Sequence, residues 1–373
     1  MANVYIFDML RVPTGKLGGY YKNDIPENLM AFLIEELLKR TTTDIEFEVL
    51  LANAIGTQGN MARYITLKSG LPEGTKASTV DVQCGGSYQT IRLASAVIRT
   101  SGHTGFLVGG MESNTLKPTR IYHKNDERHK GEEHMAYATF APNSELTLQD
   151  SAELLGQKYQ LNKSELQAWT VESHLRLASF AGIDLYQKYI IPYHKNKTLD
   201  QPLKSDISLE RLQMVNDKGT LVDSTTSAHY HDGAAVLLLG GDDLIKKGLT
   251  PIAKIAWIEL KGVNAEKAPE GAVNIAEVLK ENNPGLWNKI NLFQVNESFG
   301  VKPLSFMKHF RVDSSLMNVL GGNLAYGHPY GASGAIDLMQ LVMALQIKKQ
   351  KFGLLTAGVA GGFGAGVVVE NLV

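Results

Sequence analysis

Residues 80–96 read VDVQCGGSYQTIRLASA, and they hold the only cysteine of the chain, Cys84, between an apolar alternating run and a stretch with helical spacing. A strand-to-helix turn relieved by two glycines is expected here, followed by a long helix over SYQTIRLASAVIRTSG and an apolar strand at GFLVGGME, residues 105–112. The same order returns near the carboxy terminus, where GHPYGASG leads into AIDLMQLVMALQIKK, the corner QK and FGLLTAGVAGG. Both units place a reactive type of side chain, Cys84 in one and His328 in the other, at a helix start. That internal likeness points to a duplicated α/β scaffold.

Working outward, VYIFDM (4–9) and FEVLLANAI (47–55) read as strands, and ARYITLKSG as a helix. PENLMAFLIEELLKR (26–40) has helical periodicity, with Pro26 in its first turn and Asn23 or Asp24 as cap. This alternation predicts a parallel or mixed sheet sandwiched by helices. Residues 114–145 are polar and aperiodic and read as a surface excursion; two helical stretches follow before core-like sequence resumes at HDGAAVLLLGG (231–241). Residues 1–114 with 231–243 are therefore expected to form one half, 115–230 an inserted loop and cap region, and 244–373 the other half.

Composition narrows the function classes. The 373-residue chain has 37 Lys and Arg against 38 Asp and Glu with no block of like charge, which argues against nucleic acid as a partner. A lone cysteine excludes an internal disulfide, and no run reaches the ~18 apolar residues of a membrane span. The start, MANVYIFDMLRVPTG, lacks the basic and apolar segments of a leader, so a cytoplasmic location is expected and a membrane partner is not.

Cys84 has two readings, a small buried residue or a nucleophile whose thiolate is favoured by the positive end of the helix after it. His328 lies in GGNLAYGHPYGASG (321–334), among glycines and directly before Pro329. A thiol and an imidazole from opposite halves would form an activated pair where those halves meet. Asn296, at the end of INLFQVNESFG (290–300), is a candidate to hold a water or donate to an oxyanion; Glu297 either orients the histidine or faces solvent. The H-x-H spacing of His229 and His231 suits a metal, but with no third ligand nearby the pair reads as structural or solvent-facing, and no metal site is expected.

Together these segments resemble the thiolase family, the acyl-CoA C-acyltransferases, along almost the whole chain. VQCGGSYQTIRLA resembles the acyl-accepting cysteine motif, RVPTGKLGG the ART-x-x-G segment, and SAELLGQKYQLNKSELQAWTVESH the TAEN-to-SRxEQDxFAxxSQ stretch; GGMESN matches a strand end of the first half. DGAAVLLL, NESFG and GGNLAYGHPYGASGA match DGAAA, NEAFA and GGAIAxGHPxGxSGA. The resemblance implies a five-layer α-β-α-β-α fold, a coenzyme A thioester as substrate with no permanently bound cofactor, and a homodimer or homotetramer. It also implies that Cys84 takes the acyl group, that His328 assists deprotonation and release, and that Asn296 with His328 holds one oxyanion. The Cys84 amide and one from the loop of Gly358 and Ala360 would hold the other. Ser227, His229, His231 and Met111 are low-ranked candidates for substrate contact, Met111 and Glu112 also for loop support.

The chain departs from the family in two places. GLLTAGVAGGFGAGVVVE (353–370) stands against GLATLCxGGGMGxAxxxE, so the second cysteine, which removes the α-proton, falls on Gly358, and a glycine falls on Ala360. Carbon–carbon bond formation is therefore in question while acyl transfer is not. The chain could also be a silent subunit that binds acyl-CoA or a partner, or a decarboxylative condensing or simple acyl-transfer enzyme. In IIPYHKNKTLDQPLKSDISLERLQMVNDKGTLVDSTTS (190–227) the basic segment is short and GNxSG is replaced, leaving Lys195, Lys197, Lys204 and Arg211 as candidates for the nucleotide phosphates.

Overall fold

The computed structural model describes residues 2–41, 45–56, 59–101, 105–129, 144–215 and 220–373. Ten strands are described: β1 Tyr5–Arg11, β2 Gly15–Lys16, β3 Phe47–Ala52, β4 Lys76–Val80, β5 Gly105–Glu112, β6 His231–Gly240, β7 Ala253–Gly262, β8 Leu292–Val295, β9 Phe352–Val359 and β10 Phe363–Asn371. They run side by side as β4-β3-β5-β6-β1-β7-β10-β9-β8, with the short β2 on β6 off this path.

The order repeats inward from β3 on one side and from β8 on the other, with β4 added parallel to β3 at the first edge. β3 pairs parallel with β5, which pairs antiparallel with β6 and so to β1. β8 likewise pairs parallel with β9, which pairs antiparallel with β10 and so to β7. The halves join where Tyr5 and Ile6 of β1 face Lys254 and Ala253 of β7.

Between the halves lie the helices Gly86–Ser101 and Tyr330–Lys348, the two that follow Cys84 and His328. Residues Gly331–Leu345 of the second are buried on every side, as expected of a helix with a sheet half on each flank. The outer faces are covered by Pro26–Arg40 on one half and Gly271–Asn282 on the other, which completes five layers, α-β-α-β-α. β6 shows how the pleat divides the cores: Ala235, Leu237 and Leu239 point to the central helices, while Ala234, Val236 and Leu238 join the cluster of Leu29, Leu33 and Ile34. Strands covered on both faces read as continuous apolar runs, which is the form of GFLVGG and HDGAAVLLLG.

The expected cap at residues 23–24 is corrected. Ile25 is the N-cap residue of Pro26–Arg40 and makes no side-chain bond, while the Asp24 carboxylate accepts from His194 Nε2 at 2.8 Å. Pro26 supplies the first turn instead, since it has no N–H to satisfy. Residues 144–215 carry the helices Leu148–Lys158 and Lys163–Phe180, each opened by a capping box, from Thr147 to Asp150 and from Asn162 to Glu165. Of the surface excursion at 114–145, residues 130–143 lie outside the described residues.

Candidate active site

The Cys84 turn is held by its backbone. Gly85 N–H donates to Val82 O at 2.8 Å, Gly86 N–H donates to Gln83 O at 3.1 Å, and Gln83 adopts a left-handed φ of 49°. A Cβ on Gly86 would lie 2.5 Å from Ala52 Cβ, so only glycine lets this turn sit against β3. The sulfur is half-buried, and it lines a cavity of about 320 Å³ together with His328, Ser298, Tyr330, Gly358 and Ala360. Thiol and imidazole, from opposite halves, therefore face one space.

The electrostatics of the thiol differ from expectation. Burial pushes the Cys84 thiol up; the Lys302 charge and the backbone N–H groups of Ala360 and Cys84 oppose this, and the net shift is upward. The helix start alone does not make this cysteine a resting thiolate, because desolvation outweighs it. Cys84 and Ala360 both line the cavity, so their backbone N–H groups are candidates to hold an oxyanion on an acyl group there.

His328 is buried and held neutral. Burial lowers its pKa well below the ordinary histidine range, and the charges of Lys302 and His231 act in the same direction. Its Nδ1 lies 2.8 Å from Ser333 Oγ, which also donates to Pro329 O at 2.9 Å. A carbonyl can only accept, so the hydroxyl proton belongs to Pro329 O and the imidazole proton to Nδ1. Nε2 is thereby left with a lone pair. The His328 N–H donates to His231 Nδ1 at 3.1 Å, and the Tyr330 ring packs edge-on at 5.4 Å.

Asn296 is clamped from both sides. Its Nδ2 donates to Asp337 Oδ2 at 2.8 Å, and its Oδ1 accepts from Lys302 Nζ at 2.9 Å and from Ser298 N–H at 3.1 Å. Asn296 is buried and is not one of the residues that line the Cys84 cavity; its second amide hydrogen takes no protein acceptor among the described residues. Asp337, within the central helix, also accepts from Asn323 Nδ2 and the Tyr326 hydroxyl, at 2.8 and 2.7 Å. Lys302 Nζ is buried and also bonds Ser298 Oγ at 2.9 Å and Gly358 O at 3.1 Å; burial pulls its pKa down to about 8.

The structure places Glu297, Met111 and the Ser227, His229 and His231 set otherwise than expected. Glu297 neither orients His328 nor faces solvent: it is fully buried and accepts from Trp169 Nε1, Ser173 Oγ and Asn318 Nδ2, which ties residues 318–324 to the Lys163–Phe180 helix. Met111 is sealed in the core, because β5 is covered on both faces, and makes no cavity surface. Its neighbour Glu112 does support a loop, accepting from Asn53 Nδ2, Ala54 N–H, Ile55 N–H and Gly331 N–H. His229, His231 and Ser227 line a second cavity of about 470 Å³ with Lys16, His174 and Lys204, not the one that holds Cys84. His229 is exposed and bonds Ser224 O, and burial lowers the pKa of His231 to about 4.

Of the basic candidates, Lys204 is in that second cavity and Arg211 pairs with Asp206. The cations that do line the Cys84 cavity are Lys117 and Arg120, which sequence reasoning passed over inside an aperiodic segment. Ser298, Lys302 and Asp337 were also missed. A lone aspartate in an otherwise apolar helix was the available signal for Asp337. Among the described residues, no group of three or more His, Cys, Asp or Glu side chains could hold a metal, and no helix is long and apolar enough to cross a membrane.

Residues 4–243 match the family model described as thiolase, N-terminal domain, and residues 249–371 the one described as thiolase, C-terminal domain. The chain is 28% identical to the putative acetyl-CoA C-acetyltransferase YhfS of Bacillus subtilis over 99% of its own length and 100% of that protein. It is 30% identical to the acetyl-CoA acetyltransferase of Chromobacterium violaceum over 95% of each chain. The crystal structure of the Bacillus anthracis acetyl-CoA acetyltransferase superposes with a TM-score of 0.89 at 26% identity, covering 100% of this chain and 99% of that one. With both halves of the chain matched, and with a cysteine and a histidine presented to one cavity by equivalent central helices, the chain belongs to the thiolase family and is an acyltransferase.

Proposed function

We propose that the enzyme takes an acyl group from a coenzyme A thioester onto Cys84, in the manner of an acetyl-CoA C-acetyltransferase. The observation that carries this reading is the shared cavity, with the Cys84 sulfur, the neutral His328 imidazole and the Ala360 amide all on it or directed at it. His328 Nε2 accepts the thiol proton, so the elevated thiol is ionised only as it attacks, and the same imidazolium then protonates the departing coenzyme A sulfur. The tetrahedral oxyanion is met by the N–H groups of Cys84 and Ala360, a type of contact worth about 3–4 kcal/mol of transition-state stabilisation. The remaining amide hydrogen of Asn296, with His328, serves the second acyl oxygen.

Lys117 and Arg120 are the proposed contacts for the anionic end of coenzyme A, since both are cations on the cavity wall. No permanently bound cofactor enters the proposal. On the family likeness, the enzyme is taken to be a cytoplasmic homodimer or homotetramer.

Incubation with acetyl-CoA followed by peptide mass spectrometry tests the first step. One acetyl group on the Cys84 peptide, absent in Cys84→Ser, is the expected result. A chain that acquires no label from any short acyl-CoA would instead be a binding subunit.

A further inference from the structure

A thiolase-type condensation needs a base at the α-carbon of the second thioester, and a chain with a single cysteine has no second thiol to provide it. Another pair of groups meets in the same place. Ser298 lines the Cys84 cavity, and its Oγ lies 2.9 Å from Lys302 Nζ, which also bonds the carbonyl of Gly358 on that cavity's wall. We propose that Ser298 and Lys302 act as a proton relay: Ser298 Oγ takes the α-proton of the second thioester while its own hydroxyl proton passes to neutral Lys302 Nζ. This rests on the acyl-Cys84 reading, since the carbanion needs an acyl-enzyme to attack.

The hydrogen-bond inventory fits a lysine that changes charge in place. Asn296 Oδ1 and Gly358 O only accept, and they occupy the two N–H bonds of a neutral amine. The amine lone pair then faces the one partner able to donate, the Ser298 hydroxyl. When the lysine is charged, that hydroxyl turns and accepts. Both states are fully bonded, so the proton moves without leaving a buried group unsatisfied. Burial brings the amine to about 8, which leaves a substantial neutral fraction in mildly alkaline solution. The residue in this position of the NEAFA pattern is alanine, which has no proton to pass.

The step balances without any oxidant or reductant. The α C–H bond breaks, and its electron pair forms the new bond to the acyl carbon of acyl-Cys84. The acyl C–S bond breaks with its pair going to Sγ. The proton held on Lys302 returns to that sulfur, with which it is electrostatically coupled.

The test is deuterium uptake into the methyl group of acetyl-CoA in D2O, measured by mass spectrometry beside the acetylation of Cys84. Wild-type enzyme is expected to exchange, with a rate that climbs with pH through about 8. The titratable groups facing Lys302 are Cys84, Asp337 and Glu297, with His328 across the cavity, and the profile is assigned to Lys302 only if Lys302→Met removes it. Ser298→Ala should lower exchange by about 10²-fold or more relative to the Cys84 acetylation measured in the same sample. Should Lys302→Met fail to fold, Ser298→Ala decides alone. Exchange that persists in both variants, or acetylation without exchange in the wild type, overturns the relay and leaves the acyl-Cys84 reading standing. Absence of acetylation overturns both.

Discussion

Ser333 Oγ sits 2.8 Å from His328 Nδ1 and spends its own proton on Pro329 O, so a hydroxyl one helical turn into the central helix fixes which imidazole nitrogen is free. Losing one such bond is worth about 1–1.5 kcal/mol, or about tenfold in rate. Ser333→Ala is therefore expected to slow Cys84 acetylation about tenfold, and His328→Ala by 10²- to 10⁴-fold, the usual contribution of a positioned base at about neutral pH. Because the histidine pKa is depressed well below its ordinary value, the base form persists as pH falls. Acetylation should show no inflection near pH 6.5; an inflection there, or an unaltered Ser333→Ala rate, would refute this assignment.

With one cysteine in the chain, the pH dependence of alkylation reports Cys84 alone. Burial raises its pKa, and the alkylation midpoint should lie above the ordinary thiol value of about 8.5. The sign of the Lys302 contribution is separately testable. A positive charge favours the thiolate and burial leaves Lys302 charged mainly below about pH 8, so Lys302→Met should slow alkylation in that range. Iodoacetamide rates from pH 6 to pH 10 would measure both, and faster alkylation of the variant below about pH 8 contradicts the electrostatic picture.

Arg11 and Asp200, both wholly buried, meet in a bidentate pair at 2.6 and 2.7 Å. Asp200 also accepts from Thr14 N–H and from the Tyr186 hydroxyl, so the pair fastens the segment after the Lys163–Phe180 helix to β1. Removing one partner strands the other charge in the interior. Arg11→Ala or Asp200→Ala should each cost about 3–5 kcal/mol in denaturant unfolding, and Arg11→Met with Asp200→Leu should recover much of that loss. Equal losses in the single and double variants would mean the charge is not the cause.

The glycine-bounded turns before two long helices carried the fold in the sequence, since a tight turn followed by a helix start is a local signal. Cys84 and His328 were legible for that reason. Asn296 and Glu297 were legible as a pair but not in their division of labour. Adjacent residues at a strand end point to opposite sides, so Asn296 reaches Lys302 and Asp337 while Glu297 reaches Trp169 and Ser173. Lys302 was opaque because VKPLSFMKHF reads as an ordinary helix, and its partner Gly358 is 56 positions away. Met111 was misplaced because a strand buried on both faces carries no periodicity to say which face borders a cavity.

Gly358 is the last test, because its bare Cα has a structural cause that the aligned motif did not suggest. A Cβ at this position would lie 2.3 Å from Ala268 O and 2.6 Å from Pro269 O, so the backbone of the short Ala265–Glu270 helix already fills the space a side chain would enter. That approach holds the start of the Gly271–Asn282 helix against the end of β9, where Gly271 would itself meet Gly358 Cα at 3.1 Å if it carried a Cβ. Gly358→Cys would thus not simply add a thiol beside Cys84: it must push residues 265–270 outward. It should cost about 1–3 kcal/mol of stability, as overpacking does, and leave deuterium exchange into acetyl-CoA no faster than in the wild type. Gly358→Ala, with no thiol, should carry most of the same stability loss, which separates crowding from chemistry. A stable Gly358→Cys variant with faster exchange would show that the site beside Cys84 is open, and that glycine here is not required by packing.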